Sequence, residues 1–153
     1  MRTLCCLVGL FFCAAASWAG NVSGAHADYL GGTRPDIPGN SSGEIRTTDQ
    51  VFFVFVSKHV QVKVPYERIN LLEYGQKVSR RYMEAVLISP VLMLAKKRQH
   101  FLTVGFQDDD GQQQAMVFRV EKNGIRLALV TLEARTGQKV QYQDEEARIA
   151  GKG

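Results

Sequence analysis

The sequence predicts a mainly β domain, an antiparallel barrel of six or seven strands closed by one C-terminal amphipathic helix. Three observations point to it. Several β-rich runs follow one another between residues 44 and 120. Turn residues separate these runs, without the helix after each strand that a parallel sheet requires. A single stretch with helical spacing comes last, at residues 124–136.

An export signal precedes this domain. Arg2 is followed by an unbroken run of apolar and small residues, 4–16, which ends shortly before Ala19. Signal peptidase reads small side chains one and three positions before its cut. Residues 1–19 are therefore predicted to be a signal peptide, with an alternative cut after Ala27, and the protein to be periplasmic or extracellular. The run is shorter than the roughly 20 apolar residues that span a bilayer.

The composition of the mature chain follows from this cut. All three cysteines, Cys5, Cys6 and Cys13, lie in the removed segment, so a disulfide or a Cys-ligated metal is excluded. Removal leaves 18 basic residues against 15 acidic ones, a net charge of +3. Because nucleic-acid binding needs a concentrated basic face, this mild excess predicts no nucleic-acid partner.

The first strands are read from the period of the apolar residues. Residues 20–43 are rich in Gly, Ser, Asn and Pro, which predicts an irregular leader. The β-branched and aromatic run 51–56 indicates a strand buried on both faces. Valines alternate with polar residues over 60–64, which indicates a strand with one solvent-exposed face. Residues 67–74 predict a further strand.

A hairpin is the clearest pairing in the sequence. Two β-prone runs, 101–107 and 114–120, flank Asp110-Gly111, and an Asp-Gly pair between such runs is a strong hairpin signal. The aspartates beside it also suggest a calcium loop. An EF-hand loop that starts at Asp108 needs a glutamate where Arg119 stands, so these residues are interpreted as a solvated turn.

One amphipathic helix closes the predicted domain of residues 44–137. Asn123 is placed to cap its N-terminus, and Gly137 is placed to end it. Between them, Ile125, Leu129 and Leu132 recur on one face. The remaining tail, residues 138–153, carries few apolar groups and is predicted to be flexible.

Four segments resemble an uncharacterised group of small exported bacterial proteins: YLGGT at 29–33, LEYG at 72–75, KRQHFLT at 97–103 and LEARTG at 132–137. The order of strands followed by one helix also resembles the pleckstrin-homology-like split barrel, in which the helix plugs one end of two packed sheets. The resemblance implies this fold and no activity. The basic motif with which pleckstrin-homology domains bind phosphoinositides has no counterpart at residues 47–50, so that route to lipid is not implied.

Reactive groups show no spacing typical of a catalytic or metal site. His26, His59 and His100 are widely separated, and no nucleophile elbow is present. The 15 acidic residues show no spacing that places two of them in one cleft. No catalytic, cofactor-binding or metal-binding residue is therefore predicted.

One segment departs from an ordinary water-soluble pattern. Residues 82–95 are mostly apolar, and they are flanked by five basic residues: Arg80, Arg81, Lys96, Lys97 and Arg98. The simpler interpretation is a core strand or short helix whose charges are solvated at its ends. The alternative is an apolar tip ringed by positive charge, which contacts an anionic membrane or a partner.

The predicted function is an exported, non-enzymatic binding or structural module without a cofactor. Its ligand is an unidentified protein partner or a cell-envelope surface. The first alternative is a peripheral membrane protein that uses residues 80–98. The second alternative is an enzyme whose carboxylate chemistry the sequence pattern does not reveal.

Overall fold

A computed structural model describes residues 24–76 and 99–152 of the 153-residue chain. Within these ranges eight strands form one open sheet, in the order β4-β3-β2-β1-β7-β6-β5-β8. The strands are β1 (Ala25–Gly32), β2 (Ser41–Arg46), β3 (Phe52–Ser57), β4 (Gln61–Pro65), β5 (Ile69–Gly75), β6 (His100–Gln107), β7 (Gln113–Val120) and β8 (Val140–Tyr142). The helices are the 3₁₀ turn η1 (Tyr66–Arg68), α1 (Lys122–Thr136) and α2 (Glu145–Lys152). The predicted mainly β architecture with a C-terminal helix is confirmed, whereas the sheet is open and has one strand more than predicted.

The first seven strands form two antiparallel meanders. Strands β1 to β4 pair in succession, and so do β5 to β7. The two meanders meet where β1 pairs with β7. Only β8 departs from this pattern among the described strands, because it adds to β5 in parallel.

The connection between β4 and β5 requires a strongly curved sheet. These two strands follow each other in sequence but lie six positions apart in the sheet. Six strand spacings in a flat sheet cover roughly 29 Å. The four Cα steps from Pro65 to Ile69 through η1 reach at most about 14 Å. The sheet therefore bends until β4 and β5 approach each other, which creates a concave face.

The concave face holds a core of aromatic rings centred on Phe118. Its ring centroid lies 5.7 Å from that of Tyr29, 5.9 Å from Phe53 and 5.0 Å from Phe55. These four residues come from β1, β3 and β7, and each is at most 1% exposed. Burial of large rings on both meanders therefore holds the curved sheet together.

Helix α1 covers the core as predicted, although it begins differently. Ile125, Leu129 and Leu132 are buried, and Gly137 ends the helix in the left-handed conformation at φ 70°. The prediction that Asn123 caps the helix is wrong, because the cap position is Glu121. The Glu121 amide donates to the carbonyl of His26 at 3.1 Å, so pairing with β1 fixes where the helix starts.

The predicted leader, residues 20–43, contains a central strand. Strand β1 lies between β2 and β7, and Ala27 and Tyr29 belong to the core. Gly32, one of the glycines on which the prediction of an irregular leader depended, allows a close approach between strands instead. A Cβ on Gly32 would lie 2.3 Å from the carbonyl oxygen of Ala115, so only glycine fits against β7 at this point.

The predicted flexible tail, residues 138–153, contains two elements that pack on the domain. β8 extends the sheet, and α2 buries Ala147 and Gly151. A Cβ on Gly151 would lie 2.7 Å from the Tyr142 ring, so the glycine allows α2 to approach closely. The Asp144 side chain accepts a hydrogen bond from the Ala147 amide at 2.7 Å, which caps α2.

The remaining predicted strands are confirmed within two residues of their ends. The hairpin of β6 and β7 has the expected register, with Gln107 opposite Gln113. Its turn is held by Asp108, whose side chain accepts hydrogen bonds from the amides of Asp110 at 3.0 Å and Gln112 at 2.8 Å. Residues 67 and 68 belong to η1, so β5 starts later than predicted.

Replacement of Phe118 by alanine tests the aromatic core. Phe118→Ala is expected to lower the free energy of unfolding by about 3–5 kcal/mol, because it opens a cavity among three rings. Urea unfolding followed by circular dichroism measures the change. Phe52→Ala is the control, since Phe52 is only partly buried. An equal loss in the two variants would contradict this account of the core.

Candidate functional site

The predicted contact residues lie outside the described ranges. These residues are Arg80, Arg81, Lys96, Lys97 and Arg98, and the apolar segment 82–95 lies between them. The chain leaves the described part after Gln76 and returns at Gln99. Gly75 and Phe101 are register partners in β5 and β6. Both ends of this connection therefore meet the same end of the sheet.

A cluster of aromatic and polar side chains lies where this connection joins the sheet. The Tyr74 hydroxyl is 2.5 Å from Nδ1 of His100, and the two rings are stacked with centroids 6.0 Å apart. Tyr142 meets Tyr74 edge-on, also at 6.0 Å. Burial raises the pKa of Tyr74 to about 12. The hydroxyl therefore keeps its proton at neutral pH and shares a hydrogen bond with Nδ1 of His100.

The charges nearest to His100 are positive. Burial, together with the nearby cations of Lys122 and Arg126, holds the pKa of His100 below its usual value. The Lys152 ammonium lies 5.6 Å from the centroid of the Tyr142 ring. His100 is accordingly neutral at pH 7, and its bond to Tyr74 joins β5 to β6. The cluster stabilises this end of the sheet. Its two tyrosines have raised pKa values, so their hydroxyls stay protonated and are not activated as nucleophiles.

A second polar cluster joins three strands. The Asp28 carboxylate accepts a hydrogen bond from the Ser42 hydroxyl at 2.5 Å and two from Arg119, at 3.0 and 2.5 Å. Partial burial opposes ionisation of Asp28, but the bonds from Ser42 and Arg119 hold its pKa below the usual value. These side chains come from β1, β2 and β7, so the ion pair fastens the joint between the two meanders.

An open surface groove of about 430 Å³ lies over β1, β2 and the end of β3. Its ionisable lining consists of His26, Glu44 and Lys58. Glu44 accepts a hydrogen bond from Arg46 at 2.7 Å, so its carboxylate is engaged in an ion pair. The groove is open and shallow and is lined by both polar and apolar atoms, which is typical of solvated surface between strands.

The outward face of α1 has a different character. Leu127 is 54% exposed and Val130 is 63% exposed, and both lie opposite the buried face of the helix. Lys122, Arg126 and Arg135 on the same helix are exposed as well. The sequence prediction followed only the core-facing residues of this helix. The apolar residues at 127 and 130 lie outside that face, and this spacing could have predicted an exposed apolar surface from the sequence.

The described ranges give no metal centre. Within residues 24–76 and 99–152, no group of three or more His, Cys, Asp or Glu residues is placed to hold an ion. At Asp108, where the sequence predicts a solvated turn and not a calcium loop, the second carboxylate oxygen accepts a hydrogen bond from the Gln114 side chain at 2.7 Å. The neighbouring Asp109 pairs with Arg68.

No helix in the described part of the chain is both long and apolar enough to cross a membrane. No protein-family model matches the sequence, and no curated protein matches it. Function is therefore inferred from the chemistry of the side chains.

The His100 contact predicts a pH dependence of stability. The folded-state pKa of His100 lies below its ordinary value of 6.5, so the folded protein binds this proton less readily than the unfolded chain does. The contribution of His100 is thus present above pH 6.5 and is lost as the pH falls through the folded-state pKa.

Urea unfolding of the wild type and His100→Gln at a series of pH values measures this contribution. The variant is expected to lose less stability than the wild type as the pH falls from neutral. His59→Gln, at an exposed position, is the matched control and should follow the wild type. The account of His100 is wrong if all three proteins show the same slope.

Proposed function

We propose that the protein is an exported, non-enzymatic module that binds a partner in the cell envelope. The observation that carries this proposal is the use of its ionisable side chains. Asp28 and Arg119 join β1 to β7, and Tyr74 joins His100 across β5 and β6. These side chains stabilise the fold, and the outer surfaces of the helices and loops are available for contacts.

The direction of the carboxyl pKa values supports a binding role over carboxylate catalysis. A general acid at neutral pH needs a raised pKa. Hydrogen bonds and ion pairs instead lower the pKa values of five carboxyl groups in the described ranges, Asp28, Asp36, Asp49, Asp108 and Glu145. These groups are ionised at neutral pH and act as hydrogen-bond acceptors.

Within the mainly β class, we propose more specifically that the fold is the pleckstrin-homology-like split barrel. What supports it is the arrangement of seven strands in two antiparallel meanders before the first α-helix. The short η1 connection brings the far strands of the two meanders together, and α1 packs against β1 and β5 over the core. This is the order expected of two packed sheets plugged by a helix.

Peripheral membrane contact through residues 80–98 is the second candidate. The observation that favours it is the pairing of Gly75 with Phe101, since the two ends of this connection leave the sheet side by side. A basic-flanked apolar segment that starts and finishes at one point of the sheet suits a surface contact. Under this proposal the five flanking cations attract anionic lipid.

Crosslinking in the intact cell envelope tests the binding role. The full chain, exported with a C-terminal tag, is expected to form a discrete adduct of higher mass, because a binding module is bound to its partner in the intact envelope. The control is the same signal peptide fused to an unrelated exported domain. Adducts identical to those of the control would contradict the proposal.

The mass of the exported protein tests where the signal is removed. Cleavage after Ala19 leaves β1 intact, whereas cleavage after Ala27 removes its first three residues. Ala25 pairs with Ile45 and Ala27 pairs with Val120, so the later cut removes residues that pair β1 with β2 and with β7. We therefore expect intact-mass measurement to give a chain that begins at Gly20. A chain that begins at Asp28 would show this inference to be wrong.

A further inference from the structure

The outer face of the sheet, on the side away from the aromatic core, is buried over β6 and β7. Successive side chains of a strand point to opposite faces. Leu102 and Phe118 belong to the core, so the adjacent residues Phe101, Thr103 and Val117 point outward. They are 6%, 3% and 0% exposed, respectively. An uncovered sheet face would leave these side chains in water.

The neighbouring side chains on this face do not account for the burial of Val117. In the register of the sheet, Val117 lies between Thr103 and Gly31. Thr103 is short, and Gly31 has no side chain. Arg119, two residues further along β7, directs its guanidinium across to Asp28 on β1. These neighbours therefore leave the space above Val117 to another part of the chain.

Val54 shows the different situation in which neighbours do provide the cover. It points to the outer face of β3 and is 5% exposed. Its register partners are Arg46 and Lys63. Such long side chains bury their aliphatic stems along apolar surface while the charged ends stay in water. Val117 is flanked by no residue of this kind in the register.

The described elements outside the sheet pack on its other face. The loop after β1, η1, α1 and α2 each contribute to the aromatic core, through Ile37, Tyr66, Leu129 and Ala147. The exposures given above are those of one chain on its own. The cover of the outer face therefore comes from a part of this chain outside residues 24–76 and 99–152.

The composition of the remaining chain identifies the segment. After the predicted cut, residues 20–23, 77–98 and 153 are the parts of the mature chain outside the described ranges. Residues 20–23 are too few to cover two strands. Residues 77–98 contain the apolar stretch 82–95, which provides side chains suited to an apolar face.

The ends of this connection meet the buried face. Gly75 and Phe101 are register partners, and Phe101 is itself part of the outer face. The side-chain oxygen of Gln99, beside the returning end, is buried as well. Half of the 22 residues from 77 to 98 reach at most about 36 Å. The buried part of β6, from Phe101 to Gly105, covers about 13 Å, so the connection is long enough to cross it and return.

We propose that the outer face of β6 and β7 is the docking surface for residues 82–95 of the same chain. Their apolar side chains form a second core on the side of the sheet opposite α1. The basic residues at 80, 81 and 96–98 then lie at the two ends of the buried stretch. This inference does not depend on the binding role, and it competes with the membrane contact of residues 80–98, because docked side chains are withheld from lipid.

Engineered disulfides test the contact directly. The chain that begins at Gly20 contains no cysteine, so introduced thiols are the only ones present. Val117→Cys is combined in turn with one substitution in the segment: Val86→Cys, Ile88→Cys, Leu92→Cys or Leu94→Cys. Each folded double variant is oxidised and analysed by non-reducing electrophoresis and intact mass. At least one is expected to form an intrachain disulfide, since this bond requires Cα atoms within about 7 Å.

The matched control places the same thiol elsewhere on the outer face. Val54→Cys, combined with the same four segment substitutions, is expected to form no intrachain disulfide, because Arg46 and Lys63 already cover this position. Thr103→Cys gives a second position on the proposed docking surface if Val117→Cys does not fold. Circular dichroism of every variant before oxidation establishes that it is folded.

The stability of charged variants gives a second readout. Ile88→Asp and Leu92→Asp are expected to lower the ratio of folded to unfolded protein about a hundredfold, because docking would bury an unpaired carboxylate. Gln61→Asp, at an exposed position of β4, adds the same charge and should leave the ratio within about twofold of the wild type. Urea unfolding followed by circular dichroism measures all three.

Three results would overturn the docking surface. The first is the absence of any intrachain disulfide from both Val117→Cys and Thr103→Cys. The second is formation of disulfides only between chains, which favours a second copy as the occupant. The third is unchanged urea unfolding of Ile88→Asp and Leu92→Asp together with their loss from anionic vesicles that bind the wild type, which favours the membrane contact. Each result leaves the envelope adduct unaffected, so failure of this inference and failure of the binding role are distinguishable.

Discussion

The four Cα steps from Pro65 to Ile69 join strands that a flat sheet would hold far apart, and the curvature of the sheet follows from this short connection. A curved sheet has a concave face that must be filled. Phe118, close to three other rings, fills its middle. The open side of the concave face is covered by α1, whose buried residues complete the same core. Curvature, aromatic filling and the covering helix thus depend on one another.

This architecture determines how the polar groups are used. Among the strands that the structure describes, the two meanders pair only at the joint between β1 and β7, and the ion pair of Asp28 with Arg119 lies across it. Within the second meander, the Tyr74 bond to His100 joins β5 and β6 where a long connection leaves the described part. The ionisable side chains of Asp28, Arg119 and His100 thus stabilise the pairing of strands. The outward face of α1 differs, because its aliphatic residues Leu127 and Val130 are exposed.

Sequence patterns predicted the elements in which local chemistry and tertiary packing agree. The Asp-Gly turn after Asp108 and the glycine at 137 each act within a few residues, so the hairpin and the helix end were predictable. The pattern failed where a glycine serves a distant contact. Gly32 lies against β7 and Gly151 lies against Tyr142, and neither neighbour is visible from local sequence. For the same reason the central strand β1 was interpreted as a leader, and α2 as part of a flexible end.

The chain's own residues thus settle which segments are extended and which are helical, because side-chain period and turn chemistry are local properties. Strand order, curvature and the addition of β8 beside β5 are decided only when distant segments meet, since each depends on a neighbour that local sequence does not specify. The exposed outward face of α1 belongs to the second group. Leu127 and Val130 become a surface feature only because the opposite face of α1 packs against the sheet.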